Sequence, residues 1–226
     1  MKAYVLLHGQ TDDDAKGRIT GSSDPSLNDT GKKQAHEVAQ NLKDKGIDMI
    51  LSSPQVRTME TSEIIAPALG IDEAKITKGL KLFERAFGDY QGSLNEEVDM
   101  FVLSSWSGNA PTPNGETIKE TAGRVIPYMN NMMKIFRTKT MLLVVPEQVL
   151  KILNWYFTGL PEAGKEKVVK ISNCEFLEFE TDDIPQAIKD FEAVADVPED
   201  SGGEENPDRL LSQEEIDKLI AELGGG

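Results

Sequence analysis

The sequence predicts an α/β domain in three layers, α/β/α, with helices on both faces of a mainly parallel sheet. Two observations carry that expectation. Short apolar runs of strand length, "AYVLL" (3–7), "DMILS" (48–52) and "TMLLVV" (140–145), recur along the first 180 residues. Between them lie longer stretches whose apolar residues repeat at helical spacing. Strands separated by helices pair in parallel, because only a helical crossover returns the chain to the same end of the sheet.

Taken in order, the run at 3–7 ends in His8-Gly9 and reads as a buried strand running into a loop. "TGKKQAHEVAQNLKDKG" puts Ala35, Val38, Ala39 and Leu42 on one helical face, with Gly46 as a C-cap and His36 on the polar side. "SSPQVRTMETSEIIAPALG" places Ser53 as an N-cap with Pro54 at the first helical position, and closes near Gly70. A helix starting around Gly115 carries Pro127, which predicts a kink or break. After the strand at 140–145, "EQVLKILNWYFTG" is helical, and "EKVVKIS" and "CEFLEFE" read as paired β segments.

Composition narrows the function classes. No apolar run approaches the ~18 residues that span a membrane, and "MKAYVLLHG" is too short in apolar sequence for a secretory signal. The single cysteine, Cys174, excludes an internal disulfide and fits a reducing, cytoplasmic setting; within "CEFLEFE" it reads as a buried, inert thiol. The net charge is −15, and residues 181–226 hold fourteen Asp or Glu against three Lys or Arg, so −11 of it lies there. Nucleic acid is excluded as a partner, since phosphate backbones are bound by clustered Lys and Arg. The organisation expected is a domain over 1–180, an acidic linker with a short helical stretch over 181–209, and an amphipathic helix over 210–223.

The chemistry-bearing residues fall in five blocks: "LHGQT", "GRITGSSDPSLNDTGKKQA", "DMILSSPQVRTMETSEIIAPALGI", "LFERAFGDYQG" and "PNGETIKETAGRV". In this order they resemble the histidine phosphatase superfamily, also called phosphoglycerate mutase-like, over residues 2 to 180. The resemblance implies a phosphoryl-accepting histidine at His8, a phosphate-binding arginine at Arg57 and a general acid at Glu84, with Gly9, Thr11 and Gly21 in the surrounding loop. A transferring phosphoryl group needs fixed cationic donors on its oxygens and a proton for the leaving oxygen. Arginine suits the first task, being always charged and able to fork onto two oxygens. No metal or cofactor is implied.

The family pattern is incomplete here. Leu7 stands where the family places an arginine before the nucleophile. Pro146, in "LLVVPEQ", is read at the position of a second histidine, and Asp14 stands where many members have asparagine. Losing one preorganised donor costs about 10²–10³ in rate, so the double replacement argues against efficient phosphatase or mutase chemistry. Without phosphate, Asp12, Asp13, Asp14 and Glu84 are the carboxylates open to Arg57, and the expected pocket-filling pair would be Arg57–Asp14.

Near the C-terminus, "LLSQEEIDKLIAEL" carries a capping box, Ser212 with Glu215, and Leu211 poised to staple onto Ile216. Ile216, Leu219, Ile220 and Leu223 form an apolar stripe. "LSQEEIDKLI" resembles the short segment of bacterial flagellar motor switch proteins that binds the phosphorylated chemotaxis response regulator. That resemblance implies Leu211, Ser212, Glu215, Ile216, Leu219 and Ile220 as binding residues. The reading that follows is a catalytically degenerate histidine-phosphatase domain acting as an adaptor in chemotaxis and flagellar-motor signalling. The alternative is a weakly active phosphomonoester phosphatase or mutase with a rearranged site.

Overall fold

The computed structural model describes residues 2–162, 170–181, 188 and 191. A five-stranded sheet forms its centre, in the order β3-β2-β4-β1-β5. The strands are β1 (Lys2–Leu7), β2 (Met49–Ser52), β3 (Thr77–Lys78), β4 (Thr140–Val145) and β5 (Phe176–Glu180). All pairings are parallel except β1 with β5. The three-layer, mostly parallel architecture expected from the alternation of apolar runs is therefore the one observed.

Helices α2 (Asp29–Leu42) and α3 (Val56–Ile65) cover one face, and α5 (Ile118–Ile135) and α6 (Glu147–Thr158) the other. Alternate residues of a strand point to opposite faces, and β1 shows the consequence. Ala3, Val5 and Leu7 pack with α5 and α6, while Tyr4 and Leu6 pack with α2 and α3. The stripe Ala35, Val38, Ala39 and Leu42 is buried, and His36 is exposed, as expected. Two further short helices, α1 (Asp12–Ala15) and α4 (Met100–Leu103), flank the open end of the sheet.

Several local expectations are corrected. Helix α3 starts at Val56 with Gln55 at its N-cap, so Ser53 and Pro54 precede the helix. Ser53 is instead still on the strand's ladder, its N–H donating to the Val144 carbonyl at 2.9 Å. Helix α2 ends with Lys43 at its C-cap, three residues before Gly46 takes its left-handed φ of 67°. Helix α5 runs unbroken through Pro127. Buried residues on both sides of the proline, from Ile118 to Ile126 and from Met129 to Met133, clamp it to the core. That packing outweighs one missing helical hydrogen bond. Cys174 is buried but lies in a turn before β5, with φ 59°, and burial pushes its thiol up to about 12. Of the expected β pair, β5 is observed, and residues 166–169 lie outside the described residues, as do residues 210–223.

Candidate active site

The carboxyl ends of β1, β2 and β4 open into one cleft, the usual place for a ligand on a parallel sheet. Its volume is about 210 Å³, and His8, Asp14, Arg18, Arg57, Glu84 and Glu147 bring the charged or titratable groups to its walls. Gln148, Asn173 and Thr20 add neutral polar ones. The sequence-predicted residues His8, Arg57 and Glu84 are thus brought together from three separate segments.

His8 follows β1 directly, and its N–H still bonds the Val145 carbonyl of β4 at 3.3 Å. Its Nδ1 lies 2.8 Å from the Gly9 carbonyl. A carbonyl only accepts, so Nδ1 carries the hydrogen and Nε2 is the bare nitrogen. Arg57 Nε donates to that Nε2 at 3.2 Å. Burial, then the Arg57 charge, lower the imidazole to about 4, while Asp14 and the Gly9 carbonyl pull the other way. His8 is therefore neutral at neutral pH, with its bare Nε2 turned to Arg57. The turn behind it is tight: a Cβ on Gly9 would come 2.6 Å from the Gly31 carbonyl oxygen, and one on Gly31 would come within 2.1 Å of the Gln10 carbonyl oxygen.

Arg57, in the first turn of α3, is 1% exposed. Besides His8 it donates to the Ser23 carbonyl (2.9 Å), the Gly21 carbonyl (3.3 Å) and Gln55 Oε1 (3.3 Å). Its nearest carboxylate is Asp24 at 3.8 Å. The expected Arg57–Asp14 pair does not form. Asp14 Oδ2 instead closes a capping box on α1, accepting from Thr11 N–H (2.8 Å) and Thr11 Oγ1 (2.9 Å), and takes a third bond from Asn173 Nδ2 (3.3 Å). It stands 3.9 Å from His8 Nδ1. A carboxylate tied to its own helix start is held back from the guanidinium.

Glu84 is 8% exposed and faces the start of α6. Both its oxygens lie 3.3 Å from the Gln148 N–H, one of the donors that a helix N-terminus leaves unpaired, and Oε1 also takes the Arg85 N–H at 2.8 Å. Burial nevertheless raises this carboxyl to about 7, with Glu147 adding to the rise and Arg57 opposing it. A carboxylic acid poised near neutrality is what protonation of a leaving oxygen requires.

The wall opposite His8 is built at the start of α6. Pro146 is buried as the N-cap of α6, and Glu147 and Gln148 are the residues of that helix on the cleft. They occupy the first helical turn directly after β4, which was the available sequence signal for them. Leu7, in place of the family's arginine, is 6% exposed and packed in the apolar core. Two arginines were not anticipated. Arg18 lines the cleft and donates to the Gly92 carbonyl at 2.7 Å. Arg85 is fully buried, bonding the Glu116 and Leu103 carbonyls and Thr112 Oγ1, and so tethers the loop that follows Glu84. Among the described residues, no group of three or more His, Cys, Asp or Glu is placed to hold a metal ion, and no helix is long and apolar enough to cross a membrane.

A buried neutral histidine, an arginine on its bare nitrogen and a protonatable carboxyl thus meet at one end of the sheet. The chain belongs to the histidine phosphatase superfamily (branch 1), whose family model matches residues 3–193. Among its relatives, the probable phosphoglycerate mutase GpmB of Erwinia tasmaniensis is 30% identical over 180 residues, covering 77% of this chain and 82% of that protein. The GpmB of Salmonella typhi is 32% identical over the same shares. The fold is similar to that of phosphoserine phosphatase from Entamoeba histolytica, with a TM-score of 0.67 and 25% identity over 79% of this chain and 90% of that one. A mycobacterial glucosyl-3-phosphoglycerate phosphatase has the same fold, with a TM-score of 0.66 and 21% identity over 78% and 88% of the two chains.

Proposed function

We propose that the protein is a phosphomonoester hydrolase that works through a phosphohistidine at His8. The observation that carries this is the protonation pattern of the site: a neutral His8 with Nε2 unprotonated beside Arg57, and a Glu84 carboxyl raised to about 7. His8 Nε2 attacks phosphorus, the ester P–O bond breaks, and the Glu84 carboxylic acid gives its proton to the departing alkoxide. Water then attacks the phosphohistidine, Glu84 carboxylate takes up a proton from it, and inorganic phosphate leaves. Arg57 holds the equatorial oxygens throughout. The relatives named as mutases and phosphatases support the reaction class.

Leu7 and Pro146 stand where the family pattern has an arginine and a histidine, and Glu147 adds a carboxyl to the wall, so turnover is slow beside that of a site with a full set of cationic donors. Rapid-quench trapping of phosphohistidine on the full chain with p-nitrophenyl phosphate tests the proposal. Label is expected on wild type and absent from His8→Ala. Turnover that survives His8→Ala unchanged sinks it.

A second reading concerns residues 210–223, which lie outside the described residues and rest on sequence alone. The ten-residue match "LSQEEIDKLI" favours binding of a phosphorylated chemotaxis response regulator through Leu211, Ser212, Glu215, Ile216, Leu219 and Ile220. Titration of the full chain with such a regulator, with and without a phosphoryl mimic, tests it. Negligible affinity in both states, or binding that Ile216→Asp leaves intact, removes it.

A further inference from the structure

The cleft has an unusual balance for an anion site. Its lining holds two guanidinium groups, Arg18 and Arg57, against three carboxyl groups, Asp14, Glu84 and Glu147. Both guanidiniums are already engaged by protein carbonyls, Arg18 with Gly92 and Arg57 with Ser23 and Gly21. Of the carboxyls, Glu84 holds two backbone N–H groups and Asp14 closes the cap on α1. Among the described residues Glu147 makes no hydrogen bond or ion pair within 4.0 Å, and its side chain reaches solvent at the cleft. Burial raises its carboxyl, the Lys151 ammonium opposes the rise and the Asp14 charge adds to it.

A second feature points the same way. Gln148, the next residue on α6, is 2% exposed and lines the cleft, yet its side-chain oxygen Oε1 has no hydrogen-bond partner. A buried acceptor without a donor carries a desolvation cost that native structures rarely tolerate outside functional sites. Thr20 Oγ1, on the same lining, is also buried without a partner. A solvent-reaching carboxylate beside an unmatched amide oxygen forms a receptor for N–H donors that carry positive charge.

We infer that the cleft selects phosphomonoesters of small amino alcohols, with Glu147 and Gln148 receiving the substrate's ammonium group while phosphorus faces His8. This specificity rests on the phosphatase reading of the same site. The ammonium supplies the positive charge that the walls lack, and the cleft of about 210 Å³ restricts the leaving group to a few heavy atoms. Esters whose leaving group carries a carboxylate meet Glu147 and Asp14 and are rejected by like-charge repulsion. Glu147 is thus a specificity residue, separate from the nucleophile and the acid.

The test is calorimetric binding of three ligands to the full chain: 3-aminopropyl phosphate, n-propyl phosphate and 3-phosphoglycerate. The aminopropyl ester is expected to bind roughly 10- to 100-fold tighter than the propyl ester, the range for a charge-assisted hydrogen bond. 3-Phosphoglycerate is expected to bind weakest. Glu147→Gln should bring the first ratio close to one, and Glu147→Lys should invert the order of the aminopropyl and carboxylate ligands, with circular dichroism verifying that both variants fold. Equal affinities in wild type, or a ratio that Glu147→Gln leaves untouched, overturn the inference. Binding does not require turnover, so absence of phosphohistidine would sink the phosphatase reading without touching this result.

Discussion

Arg57 Nε lies 3.2 Å from His8 Nε2, and it donates to the one imidazole nitrogen that carries no hydrogen. The guanidinium therefore sits on the very atom proposed to attack phosphorus. Replacing it with lysine removes the fork while retaining a charge, and replacing it with alanine removes both. Arg57→Lys is expected to lower kcat/KM for p-nitrophenyl phosphate by about 10²–10³ and Arg57→Ala by more, as for loss of one preorganised donor. Steady-state kinetics at fixed pH decide it; equal activity of wild type and Arg57→Lys would show that the fork is idle.

The pH profile should be bounded on both sides. In the proposed mechanism His8, lowered to about 4, attacks as the neutral nucleophile, so activity is expected to fall as pH drops through that value. Glu84 is raised to about 7 and works as the acid, so activity toward alkyl phosphates falls as pH rises through 7. The optimum is expected between the two. p-Nitrophenolate leaves without protonation, so with that ester Glu84→Gln should cost far less than with an alkyl phosphate. A profile unchanged by Glu84→Gln with both substrates rules out the acid role.

The same His8 shift has a consequence for stability. The unfolded side chain binds its proton near 6.5 and the folded one only near 4, so the unfolded state takes up protons first as pH falls. The contribution of neutral His8 is complete above 6.5 and is lost on going down toward 4. Urea midpoints at pH 7 and pH 4.5 should drop less in His8→Gln than in wild type.

Arg85 is expected to matter for stability rather than chemistry. Its buried guanidinium serves the Glu116 and Leu103 carbonyls and Thr112 Oγ1. Arg85→Met leaves these acceptors without their donors, at about 1–3 kcal/mol for each one that stays buried. A loss under 1 kcal/mol in urea unfolding would mean that the loop re-pairs with solvent.

Gly31 tests how firmly the nucleophile loop is set. Its missing side chain admits the Gln10 backbone, and a Cβ there would stand 2.1 Å from the Gln10 carbonyl oxygen. Gly31→Ala should therefore lower the melting temperature by an overpacking cost of about 1–3 kcal/mol and reduce turnover together with it. Unaltered turnover in a destabilised variant would show that the loop adjusts without moving His8.

Much of this architecture is legible in the sequence because burial writes a periodic signal. The runs at β1, β2 and β4 and the stripe of α2 are apolar wherever the core needs them. The segments carrying His8, Arg57 and Glu84 are equally visible, because their flanking motifs survive. What the sequence hides is contact chosen by geometry. Nothing local tells that Asp14 caps its own helix in preference to pairing with Arg57, or that Pro127 is overruled by packing on both sides. Nor does the sequence tell that, after Pro146, the start of α6 puts Glu147 and Gln148 on the cleft.

The pairing of β1 with β4 joins Leu7 to Val145, so that both chains leave the sheet at the same rung. The ladder acts as a ruler that sets His8 and the start of α6 face to face, whatever side chains the latter bears. Chemistry on the far wall is thereby exchangeable while His8 keeps its place. One inserted residue in either strand would end that freedom, since it would carry the two walls out of level and separate attack from recognition.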